Sequence, residues 1–417
     1  MRLIHTSDWH LGRSFHNVDL LDHHAAYTDH LVELVREVRP TAVLIAGDVY
    51  DRAVPPVGAV RLLEESLTRL AELTRVIVTA GNHDSATRLG FAAGLMRPEI
   101  QLITRLDQIG QAIELEDDQG GPGALVYPVP FLDVYAAADH FSVEEAPVHR
   151  SHEAVMNQAL NRVRQDLANR GLTSPGAVAA GPARGSSGKT NATAGQSGTA
   201  GMAPATIVMA HAFVVGGQAS ESERDLSVGG IETVPADAFA GFDYAALGHL
   251  HGPQRIAAPD PGLLRYSGSP LAFSFSEANQ TKSTAVITVG QGPAAAELIP
   301  APVPRPLAQI RGTMAELRSA QYDEFRDHWV SVAVTDPARP DDMVRRVFRR
   351  FPHTLKTFHD PPRSGLGAST GLVTAASDPH QVVAQFIEYA GGLAATEPEL
   401  REVTNAFEAI TLKAGTQ

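Results

Sequence analysis

Three short apolar runs near the N-terminus, each ending on a polar block, constrain this chain more than any other feature. Leu3-Ile4 leads to Ser7-Asp8, Ala42-Val43-Leu44-Ile45-Ala46 ends at Gly47-Asp48, and Val76-Ile77-Val78 runs to Gly81-Asn82-His83-Asp84. An unbroken apolar run has no polar face, so the second reads as a strand covered on both sides. Between the runs, Leu31, Val35 and Val38 share a helical face before Pro40 stops that helix, and Leu63, Leu67 and Leu70 recur at helical spacing. The pattern is β-α-β-α-β, which predicts a layered α/β fold with a largely parallel sheet. Further strands are predicted at 125–129, 207–209, 244–247 and 285–289.

With 417 residues, 43% of them apolar, the chain can bury a full core and divide into more than one domain. It has no cysteine, so a metal would be held by His, Asp, Glu or Asn, and an intracellular setting is the simplest expectation. The N-terminus lacks the apolar core of a signal peptide, and no stretch offers about 18 uncharged apolar residues for a membrane span. A cytoplasmic location is therefore expected. The net charge of −13 argues against a uniformly basic, nucleic-acid-coating protein.

Residues 171–205 consist mostly of Gly, Ala, Ser, Thr and Pro. Such a segment cannot offset its ordering entropy by burial, and it reads as a disordered insertion inside a first domain spanning 1–300. The stretch GSSGKT within it lacks the full spacing of a phosphate-binding loop and follows no strand. After the Pro-rich 300–306, a small segment over 301–365 carries the strand-like Trp329-Val330-Ser331-Val332-Ala333-Val334. It also carries a basic run of Arg345, Arg346, Arg349, Arg350, Lys356 and Arg363, interleaved with Phe348, Phe351 and Phe358. Residues 378–413 read as a helical hairpin: Val383, Phe386, Ile387 and Ala390 share one face and Leu400, Val403, Phe407 and Ile410 the next. Gly391-Gly392 breaks the pair, and Thr396 with Glu399 makes a capping box.

Five polar blocks follow predicted strands: Asp8-Trp9-His10, Gly47-Asp48, Gly81-Asn82-His83-Asp84, His211, and Gly248-His249-Leu250-His251. Loops beyond the carboxyl ends of strands form the active-site crevice of layered α/β sheets, so the blocks can converge there. Asp8, His10, Asp48, Asn82, His211, His249 and His251 would then supply two carboxylates, one carboxamide and four imidazoles. That donor set suits manganese, iron or zinc and not calcium, which takes oxygen cages. Seven donors exceed one ion's needs, yet serve two ions of four ligands each if Asp48 bridges them. Phosphoester hydrolysis is the natural task of such a pair.

The five blocks, in this order, resemble the pattern D-x-H, G-D, G-N-H-[DE], H and G-H-x-H of the calcineurin-like metallophosphoesterase superfamily, a layered β-sandwich flanked by helices. Within it, the stretches IHTSDWHLG (4–12), GDVYD (47–51) followed by Pro55-Pro56, AGNHDS (80–85) and YSGSPLAFSFSE (266–277) are most similar to the bacterial SbcD nuclease subunits. The resemblance covers about the first 290 residues strongly, and beyond Pro300 it rests on segment order and the basic run.

It implies Asp8, His10 and His251 as ligands of one metal, Asn82, His211 and His249 of the other, and Asp48 as the bridge, with two Mn2+ ions as the expected cofactors. It implies that His83 is catalytic, stabilising the scissile phosphate and protonating the leaving oxygen, a task suited to an imidazole. Asp84 would orient its loop. The implied activity is DNA hydrolysis in repair and recombination: 3′ to 5′ exonuclease action on duplexes and endonuclease action on hairpins and single strands, regulated by ATP.

The 301–365 segment would be a capping domain touching DNA through Arg345, Arg346, Arg349, Arg350 and Lys356. The C-terminal hairpin would dock onto an SbcC-type ABC ATPase with a coiled coil, in a heterotetramer containing a nuclease homodimer. GDVYDR (47–52) is also similar to the phosphatase form of that motif, which leaves a calcineurin-like phosphatase or cyclic-nucleotide phosphodiesterase as the alternative. Of the remaining histidines, His5, His16, His23, His24 and His30 read as strand-edge or helix-surface residues, with His16 near enough to the Asp8 loop to touch substrate. Asp51 is open to either substrate or solvent.

Overall fold

The computed structural model describes residues 1–117, 120–142, 147–172, 203–223, 233–257, 262–362, 378–391 and 394–414. Most of the insertion predicted over 171–205, and Arg363 of the basic run, lie outside these residues. The described residues fall into two compact units, Met1–Pro306 and Leu307–Gln417.

The first unit begins with β1 (Arg2–Thr6), a small hairpin of β2 (Ser14–Phe15) and β3 (Val18–Asp19), and helix α1 (Leu21–Val38). It continues through β4 (Ala42–Ala46), α2 (Val57–Ala71), β5 (Arg75–Thr79), the single turn α3 (Ala86–Leu89), β6 (Ile100–Ile103), β7 (Ile113–Glu116) and β8 (Pro122–Val129). Then come α4 (Val134–Ser142), α5 (His152–Asn169), β9 (Ala205–His211), β10 (Phe213–Val214), β11 (Thr233–Val234), β12 (Tyr244–Gly248), β13 (Gln254–Ile256), β14 (Leu263–Tyr266), β15 (Ser283–Thr288) and β16 (Ala295–Pro300).

Two six-stranded mixed sheets result, ordered β16-β15-β1-β4-β5-β6 and β13-β14-β12-β9-β8-β7. The middle of each is parallel, as the apolar runs predict; antiparallel strands close both edges of the second sheet and one edge of the first, whose other edge is the parallel strand β6. Leu3, Leu44, Ile77, Val126, Ile207, Met209 and Ala246 form the layer between the sheets. The alternate residues Ile4, Val43, Ile45, Val76 and Val78 face α1 and α2 on one outer side. Leu125, Tyr127, Val208 and Leu247 face α4 and α5 on the other. The central strands are apolar on both faces because each is covered on both faces.

Parallel neighbours fix where the loops emerge. Thr6 pairs with Ile45, Ile45 with Val78, and Gly248 with His211. The ends of β1, β4 and β5 therefore lie side by side, as do those of β9 and β12. A hydrogen bond from His211 Nδ1 to the Ala46 carbonyl, 2.9 Å, joins the two sets.

Two histidines depart from the surface reading. His5 is fully buried between the sheets with Nδ1 2.7 Å from the Tyr244 hydroxyl, and His24 is buried on the inner face of α1 near the Phe273 ring. Burial lowers the pKa of His5 to about 3 and of His24 to about 4, so both are neutral at pH 7. A lone polar residue in an apolar strand carries no local sign of its partner, which for His5 lies 239 positions away.

The second unit contains β17 (Leu307–Gly312), β18 (Trp329–Val334), α6 (Met343–Arg350), β19 (Thr354–His359), α7 (Pro379–Gly391) and α8 (Glu397–Ala414). β17-β18-β19 form a parallel sheet with β18 in the centre, buried along its whole length. Its own core joins Ile310, Met314, Val332, Val347 and Phe351. Thr396 caps α8 by donating from its backbone N–H and hydroxyl to Glu399, at 2.8 and 2.7 Å. Among the described residues, no helix is long and apolar enough to cross a membrane.

Candidate metal centre

The seven side chains singled out from sequence meet where the carboxyl ends of the two sheets face each other. His10 Nε2 lies 3.1 Å from His251 Nε2 and 3.7 Å from Asp48 Oδ2. His211 Nε2 is 3.4 Å from Asp48 Oδ2 and 3.0 Å from Asn82 Oδ1, which in turn is 3.2 Å from His249 Nδ1. Asp8 Oδ1 is 4.0 Å from His211 Nδ1. Three overlapping sets have ligand atoms within 4.8 Å of one another: Asp8, His10 and His251; Asp8, Asp48 and His211; and His10, Asp48 and His83. Asp48 is common to the last two, which is the position a bridging carboxylate needs.

The local backbone is built for this convergence. Asp8, His10 and Asp48 have φ of 54°, 47° and 48°, and His249 has 106°. Left-handed conformations at non-glycine residues cost about 1 to 3 kcal/mol each and persist where the surrounding structure over-determines them. Gly47 is also left-handed, at φ 84°, and a Cβ there would strike the His211 ring. A Cβ on Gly81 would strike the Asp48 carboxylate. These two glycines of the motifs are there because the His211 ring and the Asp48 carboxylate pass directly over them.

Around the cluster, further hydrogen bonds hold Asp8, Asp48 and the loops that carry them. The Asp84 carboxylate accepts from the backbone N–H groups of Val49 (3.0 Å), Tyr50 (2.9 Å) and Gly81 (2.9 Å), tying together the loops after β4 and β5. Asp8 accepts from the His249 N–H at 3.0 Å and from the Ser7 hydroxyl at 2.5 Å, and Ser7 lies 2.8 Å from Ser267. His83 donates its backbone N–H to Asp48 Oδ1 at 2.9 Å, and its Nδ1 lies 2.8 Å from the Asp51 carbonyl oxygen.

Sequence reasoning did not find the partners of His251. Its Nδ1 is 2.7 Å from the Ser222 hydroxyl, which is 2.7 Å from Glu277 Oε1, and Glu277 Oε2 is 2.6 Å from Lys282 Nζ. Glu277 closes the 266–277 block noted in the sequence, but Ser222 and Lys282 carried no signal of their own.

Electrostatics decide whether the donors suit cations. Burial lowers the pKa of His10 and His249 to about 3, leaving neutral imidazoles with lone pairs to give. Burial, aided by the Asp48 charge, pushes Asp8 up to about 7. Burial alone would lower His211, but the Asp48 and Asp8 carboxylates outweigh it and push it up to about 9. Burial would likewise raise Asp48, yet the imidazoles of His211, His10 and His83 hold it below the usual carboxylate range.

In the metal-free protein, protons thus balance the carboxylates where divalent cations would otherwise sit. The 3.1 Å between the Nε2 atoms of His10 and His251 is close to the separation of about 3.4 Å expected for two imidazoles on one tetrahedral ion with bonds of about 2.0 to 2.1 Å. The residues therefore fit a divalent metal site of the kind that hydrolyses phosphoesters.

The cluster opens into a cleft of about 290 Å³, lined among others by Arg13, Asp51, His83, Ser222 and His251. Asp51, left open from sequence, lines this cleft and lies 3.4 Å from Arg13 Nη1 and 3.6 Å from His10 Nδ1. Arg13 also stacks on the Phe273 ring, 4.7 Å from its centroid. His16 packs beside Phe15 and Phe275 and is not among the residues lining the cleft.

The basic run of the second unit divides. Arg345 and Arg349 on α6 are exposed and make no ion pair among the described residues, and Lys356 is exposed beside the Phe358 ring. Arg346 is half-buried. Arg350 is held internally by Asp323 at 2.6 Å and by the carbonyl oxygens of Leu317 and Ser319.

A family model described as calcineurin-like phosphoesterase matches residues 1–156, which contribute Asp8, His10, Asp48, Asn82, His83 and Asp84. Among solved structures, that of TT1561 from Thermus thermophilus is similar at 12% identity, covering 71% of this chain and 98% of that one with a TM-score of 0.37. The first 156 residues are thus similar to the calcineurin-like phosphoesterases, and they carry six of the residues gathered at the buried cluster.

Proposed function

We propose that this metal-dependent phosphoesterase is a DNA nuclease of the SbcD type, cleaving phosphodiesters at DNA ends and hairpins. The observation that carries the reading is the use made of the 266–277 block, the stretch most similar to SbcD subunits. Its Ser267 reaches Ser7 beside Asp8, and its Glu277 lies behind His251. The block that separates this reading from a phosphatase is thus hydrogen-bonded, through Ser7 and Ser222, towards two of the seven candidate ligands.

In this reading Asp8, His10 and His251 would hold one divalent ion and Asn82, His211 and His249 a second, with Asp48 available to both. Bound ions supply polarisation of the phosphoryl oxygens and lower the pKa of the attacking water. His83 commits Nδ1–H to the Asp51 carbonyl, so a proton gained or lost resides on Nε2, the atom available to the leaving sugar oxygen. Asp84 keeps the His83 loop in register with the Asp48 loop. Arg13 offers its guanidinium to a phosphate oxygen in the cleft, which a DNA strand fills better than a neutral ligand would. Arg345, Arg349 and Lys356 give the second unit an exposed cationic face for backbone phosphates, and exposed Phe386 and Leu400 on α7 and α8 suit docking to an SbcC-type ATPase.

The test compares manganese-dependent degradation of linear or hairpin DNA with turnover of phosphopeptides and cyclic nucleotides. Preferential DNA cleavage is expected, and DNA left intact while a monoester is hydrolysed would replace the nuclease by a phosphatase. In the same assay His83→Ala is expected to keep its metal content and lose about 10²-fold or more in kcat. Loss of metal in that variant would make His83 a ligand, as its closeness to His10 and Asp48 allows.

A further inference from the structure

The imidazoles at the cleft are oriented in two different ways. His211 and His83 direct Nδ1 at backbone carbonyls, those of Ala46 and Asp51. His251 instead directs Nδ1 at a side chain, Ser222, backed by Glu277 and Lys282.

The chemistry of this chain leaves few options. Ser222 Oγ lies 2.7 Å from Glu277 Oε1, from Ser220 Oγ and from His251 Nδ1; Glu277 is acceptor-only when ionised, so Ser222 spends its one hydrogen on Glu277, and its two lone pairs accept from the Ser220 hydroxyl and from His251 Nδ1. His251 is therefore the Nδ1–H tautomer, and its lone pair sits on Nε2, facing His10 Nε2. Lys282 fixes the other end, with acceptors at 2.6 Å (Glu277 Oε2), 2.9 Å (His251 carbonyl), 2.9 Å (Gln280 Oε1) and 3.0 Å (Ser269 Oγ). One ammonium thus holds both the carboxylate behind the ring and the backbone of the same histidine.

Glu277 and Lys282 are only 1% and 2% exposed. Such a pair is a weak source of stability, because desolvating two charges consumes most of what their attraction returns. Its place behind a ligand suggests positioning as the gain.

We propose that Ser222, Glu277 and Lys282 are positioning residues that lock His251 in its metal-binding tautomer, so that one metal position is tuned by a side-chain relay while the other, through His211, is anchored to backbone. The inference rests on His251 being a ligand. It predicts two unequal metal positions that substitution can separate.

The experiment is a Mn2+ titration of metal-stripped full-length protein by calorimetry, with bound metal counted by elemental analysis. Wild type is compared with Ser222→Ala, Ser222→Thr, and the pair Glu277→Gln with Lys282→Met, which avoids leaving a lone buried charge. Wild type is expected to bind two ions. Ser222→Ala should weaken one of them about 10- to 100-fold and leave the other unchanged. Ser222→Thr, which keeps the hydroxyl, should restore it, and the double variant should behave like Ser222→Ala.

Two unchanged affinities in Ser222→Ala would overturn the relay. So would an equal loss at both positions together with a lowered melting temperature, which would mark a merely structural role. A wild-type protein that takes up no manganese would overturn the metal reading itself, and the relay with it.

Discussion

At the scale of single residues, the site is a balance of charge that either protons or cations can satisfy. Asp8 pushed up to about 7 and His211 to about 9 hold protons that divalent ions must displace. The direction follows: at pH 6 both groups are protonated in the metal-free protein, so cation uptake releases about two protons, whereas near pH 10 it releases none. Apparent affinity should climb with pH through this window, by up to about tenfold per unit for each proton displaced. Calorimetry in buffers of different ionisation enthalpy measures the release directly, and uptake at pH 6 with no proton release would contradict the charge assignment. That these side chains gather at one place was legible from sequence, because Asp, Asn and His in strand-terminal blocks have few other reasons to recur. Ser222 and Lys282 were not, since a serine in a loop and a lysine before a strand acquire meaning only from a partner, His251, that lies 29 and 31 positions away. The burial of His5 and His24 is likewise a tertiary fact that no local pattern announces.

At the scale of elements, the parallel core strands were legible and the edges were not. β4 and β5 are unbroken apolar runs because both faces are covered, whereas β16 is mostly exposed or half-buried and gives no such run. α6 shows a related limit. Its sequence, MVRRVFRR, displays four arginines, but only the fold reveals that Arg350 is spent on Asp323, Leu317 and Ser319 while Arg345 and Arg349 remain exposed. If α6 binds DNA, Arg345→Glu with Arg349→Glu should reduce the steepness of the log affinity against log salt plot by about 2, roughly one unit for each phosphate no longer neutralised. Hydrolysis of a small phosphodiester should be unaffected, because neither residue belongs to the ligand cluster. Arg350→Glu should differ in kind, lowering the melting temperature of the second unit, and fluorescence anisotropy at several salt concentrations with thermal melts separates the two. Equal salt slopes in wild type and the Arg345/Arg349 variant would remove α6 from the DNA interface.

At the scale of the whole molecule, the charge of −13 is an average over parts with different tasks. The acidic donors of the first unit would be neutralised by cations, and the second unit places four of its ten arginines on one short helix, so net charge says little about substrate. The division after Pro306 sharpens the point, because chemistry and cationic face fall in different units. All seven candidate ligands, His83 and the Ser222, Glu277 and Lys282 relay lie before Pro306. The first unit also holds three apolar cores of its own, as the described residues show. A unit with its own core can fold alone, so a fragment ending at Pro306 should remain folded, bind the same number of Mn2+ ions as the full chain, and hydrolyse a small phosphodiester at a similar rate. If the second unit helps to hold DNA, the fragment should lose about tenfold or more of its affinity for DNA, with a shallower salt dependence. Folding is read by circular dichroism, metal by elemental analysis and binding by anisotropy. A folded fragment that binds metal but no longer hydrolyses the small substrate would show that the second unit contributes to chemistry, and a fragment with undiminished DNA affinity would place the whole DNA interface on the first.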